Sequence, residues 1–344
     1  MHQRLKIKTN GTPGSLIGTG LSLFAATIQL YTLAITTVCS IMVGKTTAIA
    51  LLGLTGTALA QSPFKVDSPD NIVKSAKTLA SDLIALYHGD EPGRPVGLLD
   101  GPPGGKGDGY YWWQSGMYWT TFLEYRRVTG DQQYDELAVK GLVAQSGSDS
   151  FSLNDAAFMP PNQTATMGND DQCMWGLAAL HAAEAGLPEH GNDTIPTWLG
   201  LAENVLKSQL LRWNIEIENE KTAKEPTCGG GLRWQIVPFN LGYNYKNSWA
   251  NGCYFDLAAR LGALTGNKTY TGAATVAFEW LQSIGLIDND TWAVYDGSHV
   301  EQNCTDINKS QFSANTAILI NGAAHMYNSV RTRLLPSRCR DKRA

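Results

Sequence analysis

The sequence predicts an all-α protein built from helical hairpins that close into a toroid, and three observations carry that expectation. Apolar residues recur at helical spacing along most of the chain, while the strict alternation of a half-buried strand is hard to find. The segment Val128-Thr129-Gly130-Asp131 followed by Tyr134 is echoed by Leu264-Thr265-Gly266-Asn267 followed by Tyr270, each lying between two helical stretches. Short turns of this kind alternate with long loops rich in Gly, Pro and Asn, an unevenness that gathers the long loops on one rim. Stacked hairpins could equally build a solenoid; the alternation of short and long connections favours the toroid.

Taken in order, residues 1–60 read as a leader. The run from Leu16 to Val43 is long and uncharged enough to span a membrane. From Met42, MVGKTTAIALLGLTGTALAQ has a Lys, a short apolar run and Ala58-Leu59-Ala60, the pattern of a secretory signal cleaved after Ala60. A signal-anchor and an upstream extension with Met42 as the start compete here. The complete signal inside the chain favours the second.

Ser68-Pro69 then starts a helix running to about His88, with Ile72, Ala76, Leu79, Leu83 and Leu86 on one face. Further helices are expected at about 111–128, 133–145, 170–185, 197–211, 246–264, 269–284 and 312–329, eight in all. In both echoed turns Gly ends one helix, and Asp131 or Asn267 caps the next. The long connections are GDEPGRPVGLLDGPPGGKGDG, SFSLNDAAFMPPNQTATMG and ENEKTAKEPTCGGGLRWQIVPFNLGYNYKN, and those with aromatic residues are expected to carry function. Residues 61–330 form the domain, and 331–344 form an atypical basic tail without helical periodicity.

The formal charge of −4 hides an uneven distribution. Residues 1–60 hold four bases and no acid, and residues 331–344 hold six bases and one acid, which leaves 17 bases against 30 acids in 61–330. An excess of this sign repels nucleic acid and suits a neutral or cationic ligand. Six N-x-S/T sequons, at Asn162, Asn192, Asn267, Asn289, Asn303 and Asn308, agree with secretion. An oxidising compartment permits disulfides among Cys173, Cys228, Cys253 and Cys304, with Cys228–Cys253 the expected pair. No C-x-x-C or Cys/His cluster points to a metal, and no cofactor is expected.

Chemistry concentrates in GNDDQCMWGLAALHAAE, where Asp170 and Asp171 stand side by side as a helix begins. One reading is a cap that favours the helix dipole. The other is an acid/base pair, since adjacent carboxyls on a walled surface split their pKa values. Neighbouring Cα atoms lie about 3.8 Å apart, so their carboxyls reach the roughly 5–5.5 Å of a retaining glycosidase more readily than the wider gap of an inverting one. All ten tryptophans fall between Trp112 and Trp292. Trp119, Trp198, Trp213 and Trp280 read as core, whereas loop-borne Trp234, Tyr243 and Tyr245 could stack on sugar rings beside Asn and Gln side chains. Together these features read as a carbohydrate site.

YYWWQSGMYW, MPPNQTATMGNDDQCMWGLAALHAAE, CGGGLRWQI, YNYKNSWANGCYFDLAARLGALTGN and VYDGSH resemble the fungal branch of glycoside hydrolase family 76, endo-α-1,6-mannanases, over about residues 65–328. The resemblance implies an (α/α)6 toroid and a retaining mechanism with Asp170 as nucleophile and Asp171 as general acid/base. Trp113, Gln172, Trp234, Tyr245, Asn247 and Asp296 are expected to hold the sugars. The implied substrate is α-1,6-mannan or a mannose-containing anchor glycan, cut or transferred to cell-wall glucan by a monomer in the secretory pathway or at the cell surface. The implied glycosylphosphatidylinositol anchor finds no signal in this C-terminus, and about eight of the twelve expected helices are recognisable. A non-catalytic mannan-binding wall protein and an inactive truncated fragment are the alternative readings.

Overall fold

The computed structural model of the protein describes residues 64–101, 109–153, 167–222 and 228–334. The leader, its cleavage site, the apolar run at 16–43, Asn162 and residues 335–344 lie outside the described residues. Among the described residues no helix is long and apolar enough to cross a membrane. Two compact units are distinguished, with the division between Ser81 and Asp82.

Eight α-helices carry the described chain: α1 (Pro69–Ile84), α2 (Trp112–Thr129), α3 (Asp135–Ser146), α4 (Asn169–Glu184), α5 (Trp198–Thr222), α6 (Ser248–Thr265), α7 (Lys268–Ser283) and α8 (Ser313–Leu334). In the first unit Ser75 of α1 ties the chain ahead of the helix, accepting from Lys65 N at 2.9 Å and donating to Lys65 O at 2.8 Å.

In the second unit α2, α4, α6 and α8 pack each against the next, while α3 and α5 lie against the inner helices that flank them and α7 lies against α6. Burial reports the same division. Thirteen of the sixteen residues of α4 and fourteen of the eighteen of α6 are buried, as befits helices covered on every side. In α7 only Tyr270, Ala274, Ala277, Trp280 and Leu281 are buried, a single stripe at helical spacing. Inner helices alternating with outer ones form the α/α hairpin toroid class that the sequence predicts. Trp119, Trp198, Trp213 and Trp280 are all core residues, as expected.

The echoed turns behave as one motif. Gly130 (φ 73°) and Gly266 (φ 71°) take the left-handed conformation that Gly adopts without penalty, and their N–H groups close on Arg126 O and Gly262 O. Asn267 then caps α7 by accepting from Thr269 N at 2.9 Å. Asp131 differs, because it accepts from Gln133 N inside the turn and α3 begins only after Tyr134.

Three boundaries depart from expectation. α1 stops at Ile84 rather than near His88, and Leu86 is exposed. α8 continues to Leu334, into the segment expected to be an irregular tail. α5 runs to Thr222, eleven residues past the expected end at 211. Its last turns escaped the apolar pattern because an inward position is occupied by an acid, Glu216, which pairs with Arg233 Nε at 2.8 Å and Lys246 Nζ at 3.0 Å.

Strands β1 (Tyr245–Asn247) and β2 (Gly297–His299) form a two-stranded antiparallel sheet with Tyr245 opposite His299 and Asn247 opposite Gly297. Such three-residue strands are too short for their alternation to show in the sequence. The disulfide joins Cys228 to Cys304, not to Cys253. Cys253 points from α6 into the core beside Cys173 of α4, both as free thiols, so helix packing removes it from the loops that the bond connects.

Candidate active site

The aspartate pair opens α4, and three neighbouring segments build the wall beside it. Residues 167–169 run antiparallel to 234–236, with Asn169 N donating to Trp234 O at 2.8 Å and Ile236 N to Met167 O at 3.0 Å. Trp234 N donates to Tyr245 O, and Arg233 bridges to Lys246, which brings β1 and then β2 alongside. Asn169 locks this assembly. Its amide donates to Arg233 O, its side-chain oxygen accepts from Arg212 Nε, and its carbonyl accepts from Gln209 Nε2.

Asp170 and Asp171 are 7% and 8% exposed, so neither charge is fully hydrated. Asp171 Oδ2 accepts from Gly168 N at 2.7 Å, which makes the capping reading of one acid correct as far as it goes. Asp170 Oδ1 accepts from Asp171 N at 3.0 Å, and the Asp170 carboxyl also accepts from the Trp234 side chain. Burial pushes Asp170 up to about 6, against the pull of these donors. Burial and then the charge of Asp170 hold Asp171 well above the carboxylate range. The carboxyls also hydrogen-bond each other, in the sense that favours a proton on Asp171 and a charge on Asp170. Two chemically identical neighbours are therefore shifted unequally, with Asp171 biased further toward its protonated form.

Gly168 is required by space rather than by backbone angle. A Cβ there would stand 2.0 Å from Asp170 Oδ1, 2.7 Å from Asp171 Oδ2 and 3.0 Å from Trp234 O. Gly168→Ala is expected to force the carboxyls apart and lower the activity proposed below at least about tenfold, because angstrom-scale misplacement at a reacting centre costs more than that. Steady-state kinetics on the variant, with a circular dichroism spectrum to verify the helices, checks this.

Behind the pair, Trp175 stacks on Trp112 at 5.3 Å and meets Phe151 at 5.7 Å. Trp113, half-buried, sits next to Trp112 in the first turn of α2. Gln172 requires a correction. It is fully buried, its amide donates to Phe151 O, Ser152 O and Ser208 Oγ, and its oxygen accepts from Arg212. Its amide fastens Phe151 and Ser152 to α5, and the side chain, fully buried, does not face a sugar. Asn247 is mainly structural too: its oxygen caps α6 by accepting from Ala250 N at 3.0 Å.

Trp234, Tyr245 and Asp296 stand together. The Tyr245 hydroxyl donates to Asp296 Oδ2 at 2.8 Å, and Asn308 Nδ2 donates to the same oxygen at 3.2 Å. A cleft of about 260 Å³ lies along Asn169, Arg212, Ile215 and Gln235. Neither aspartate lines it, but Asn169, next to the pair, does. Asn169, Arg212, Gly168 and Asn308 were missed from the sequence. Only Gly168 and Asn169 had a local signal, their place directly ahead of the aspartates. Among the described residues no group of three or more His, Cys, Asp or Glu is arranged to hold a metal ion.

Residues 71–333 match the sequence profile of Glycosyl hydrolase family 76. A mannan endo-1,6-alpha-mannosidase of Eremothecium gossypii is 38% identical over 84% of this chain and 59% of its own length. One from Saccharomyces cerevisiae is 36% identical over 76% of this chain and 54% of its own. The chain thus spans between half and three fifths of the length of these curated relatives. Among solved structures, Dfg5 from Chaetomium thermophilum, in complex with glucosamine, superposes with a TM-score of 0.70 at 45% identity, covering 78% of this chain and 62% of that one. An inactive variant of the α-1,6-mannanase GH76A of Salegentibacter sp., with two consecutive aspartates changed to asparagine and α-1,6-mannotriose bound, shares the fold at a TM-score of 0.54 and 18% identity, covering 75% of this chain and 65% of that one.

Proposed function

Because the chain belongs to glycosyl hydrolase family 76, we propose that it cleaves α-1,6-linked mannose chains from within, with retention of anomeric configuration. The observation that carries this reading is the buried, adjacent Asp170–Asp171 pair at the start of α4, with Asp171 biased further toward its protonated form than Asp170. Carboxyls in hydrogen-bond contact are nearer the roughly 5–5.5 Å spacing of a retaining pair than the wider gap that admits the interposed water of an inverting enzyme. The inactive bacterial relative with two consecutive aspartates replaced agrees with that assignment.

In the first step Asp171 gives its proton to the glycosidic oxygen as the bond to the anomeric carbon breaks. Asp170 attacks that carbon and forms a mannosyl ester. Asp171, now ionised, takes a proton from a water or from a sugar hydroxyl, whose oxygen displaces Asp170. Water completes hydrolysis; a hydroxyl of cell-wall glucan completes transfer. Trp234 fixes Asp170 through its side-chain bond and presents an aromatic surface to the sugar. The signal-like segment at 42–60 and the six sequons support export to the cell surface or wall.

The test is incubation of the secreted protein with linear α-1,6-mannotetraose, with products resolved by chromatography and their anomers by proton NMR. Shorter oligosaccharides that first appear as the α-anomer are expected. Intact tetraose that nonetheless binds the protein would replace the enzyme reading with that of a mannan-binding protein. Adding a glucan oligosaccharide separates transfer from hydrolysis.

A further inference from the structure

The segments beside the aspartates are paired so that Trp234 lies opposite Tyr245, and Tyr245 opposite His299. Residues directly opposite in antiparallel pairing project from the same face. The next row, Arg233, Lys246 and Ser298, is turned inward: Lys246 and Ser298 are fully buried, and Arg233 pairs with Glu216 of α5. Trp234, Tyr245 and His299 are accordingly the outward row, and all three are at least partly exposed. Its near end touches Asp170 through the Trp234 side chain.

The far end is built with equal care. His299 is exposed, yet its ring is not free to wander: Nδ1 lies 2.6 Å from Asp306 Oδ2, and the ring rests against that of Tyr245 at 4.9 Å between centroids. Asp306 is fixed in turn by Ser298 Oγ at 2.6 Å and His299 N at 2.9 Å. Burial pushes the Asp306 carboxyl up, but these three donors outweigh it and hold it at about 2. An ionised carboxylate thus orients one ring nitrogen and leaves Nε2 as the outward polar atom. An aromatic ring paired with a fixed polar group is what binds a sugar, with its apolar face and its hydroxyls.

We propose that His299, oriented by Asp306, contacts the mannose chain at a position remote from the scissile bond. Trp234, Tyr245 and His299 then form a single strip along which the substrate lies. Strands about 4.8 Å apart place His299 roughly 10 Å beyond Trp234, which leaves room for sugar units past the one held at the aspartates. His299 is the specificity-determining residue of the strip, selecting chains long enough to reach it; Asp306 is a positioning residue that acts through it. The inference rests on the substrate class proposed above.

Binding is tested without turnover. Calorimetry of linear α-1,6-mannotetraose is carried out on the full chain bearing Asp170→Asn, alone and combined with His299→Ala or Asp306→Asn. Loss of His299 is expected to raise Kd about tenfold, the order of one good polar and stacking contact. Asp306→Asn is expected to raise it less, and to leave the thermal midpoint within a degree or two. In the otherwise unaltered enzyme, His299→Ala should raise KM for the tetraose with kcat within about twofold, as for lost uniform binding. An unchanged Kd overturns the inference even if the enzyme cleaves mannan, and so does an equal fall in kcat and thermal midpoint, which marks a structural role. Absence of products from the unaltered protein, with the Kd difference intact, would sink the enzymatic reading and leave this one standing.

Discussion

Asp171→Asn is expected to lower kcat on α-1,6-mannan by about 10³-fold or more, the range for loss of a general acid, and at the same time to make the protein more stable at pH 7. Asp170→Asn should do the same, by removing the proposed nucleophile. The second half of the expectation follows from the direction of the shifts. Both carboxyls have folded-state pKa values above the unfolded ones, because burial and their mutual proximity penalise charge. Folding therefore favours the proton, and stability is fully present below the unfolded value of about 4. It is lost as the pH climbs through the folded values, which begin near 6 for Asp170. Two pKa units on a buried group correspond to about 1–3 kcal/mol once relaxation is allowed for. Asparagine keeps the shape and cannot ionise, so thermal melts should show the variants ahead of the unaltered protein at pH 7 and level with it at pH 4. Equal melts at both values would contradict the strain. The activity profile should carry the same signature, with a rise near pH 6 as Asp170 loses its proton and a fall at higher pH as Asp171 does. These limbs belong to the pair as a unit.

The second large effect concerns stability alone. Glu216→Ala is expected to cost about 3–5 kcal/mol, because it strips a carboxylate from beside a fully buried ammonium and the guanidinium that shares it. Lys246 is fully buried, and burial already depresses it to about 8 even with Glu216 beside it. Arg233 pairs with the same carboxylate. For a domain of this size the loss corresponds to a fall in Tm of about 10 °C. Without Glu216 the Lys246 pKa drops further. A base whose folded pKa lies below its unfolded one gains stability as pH rises between the two. The penalty should accordingly be largest at neutral pH and shrink toward pH 10, which melts at pH 7 and pH 9.5 would reveal. Lys246→Met is the comparison, since it leaves Glu216 paired with Arg233 and should cost less.

Much of the fold could be read because most helices obey local rules. Trp198 to Leu211 shows its periodicity openly, and the echoed Thr-Gly turns announce hairpins through the one residue that tolerates a left-handed helix end. Reading failed where a buried charge stood in an apolar slot. Glu216 concealed three further turns of α5, because the partners that make it acceptable there, Arg233 and Lys246, come from a loop and a strand later in the chain. The same nonlocality misled the site. Asp170 and Asp171 advertise themselves by adjacency, but Gln172, next in line, turns inward with the helical rotation and serves Phe151, Ser152 and Ser208. His299 and Asp306 were passed over because strand register, not spacing in the sequence, aligns them with Trp234. The Cys228–Cys304 bond was misassigned for the same reason: nothing local distinguishes Cys304 from Cys253 until α6 takes the latter into the core.

That bond has a consequence for when the molecule becomes competent. Cys228 sits just ahead of the strip that carries Arg233 and Trp234, and Cys304 lies between His299 and Asp306, so a single covalent link spans the two loops that supply the wall beside Asp170. The helices behind that wall are held by burial and hydrogen bonds that form in any redox environment. The wall adds the covalent link. Synthesis under reducing conditions would yield a helical scaffold with Asp170 and Asp171 in place and a rim held by hydrogen bonds alone, and oxidation would be the event that fastens it covalently. The redox state of the surroundings, rather than the folding of the helices, then sets the moment at which the wall beside Asp170 is tied in place.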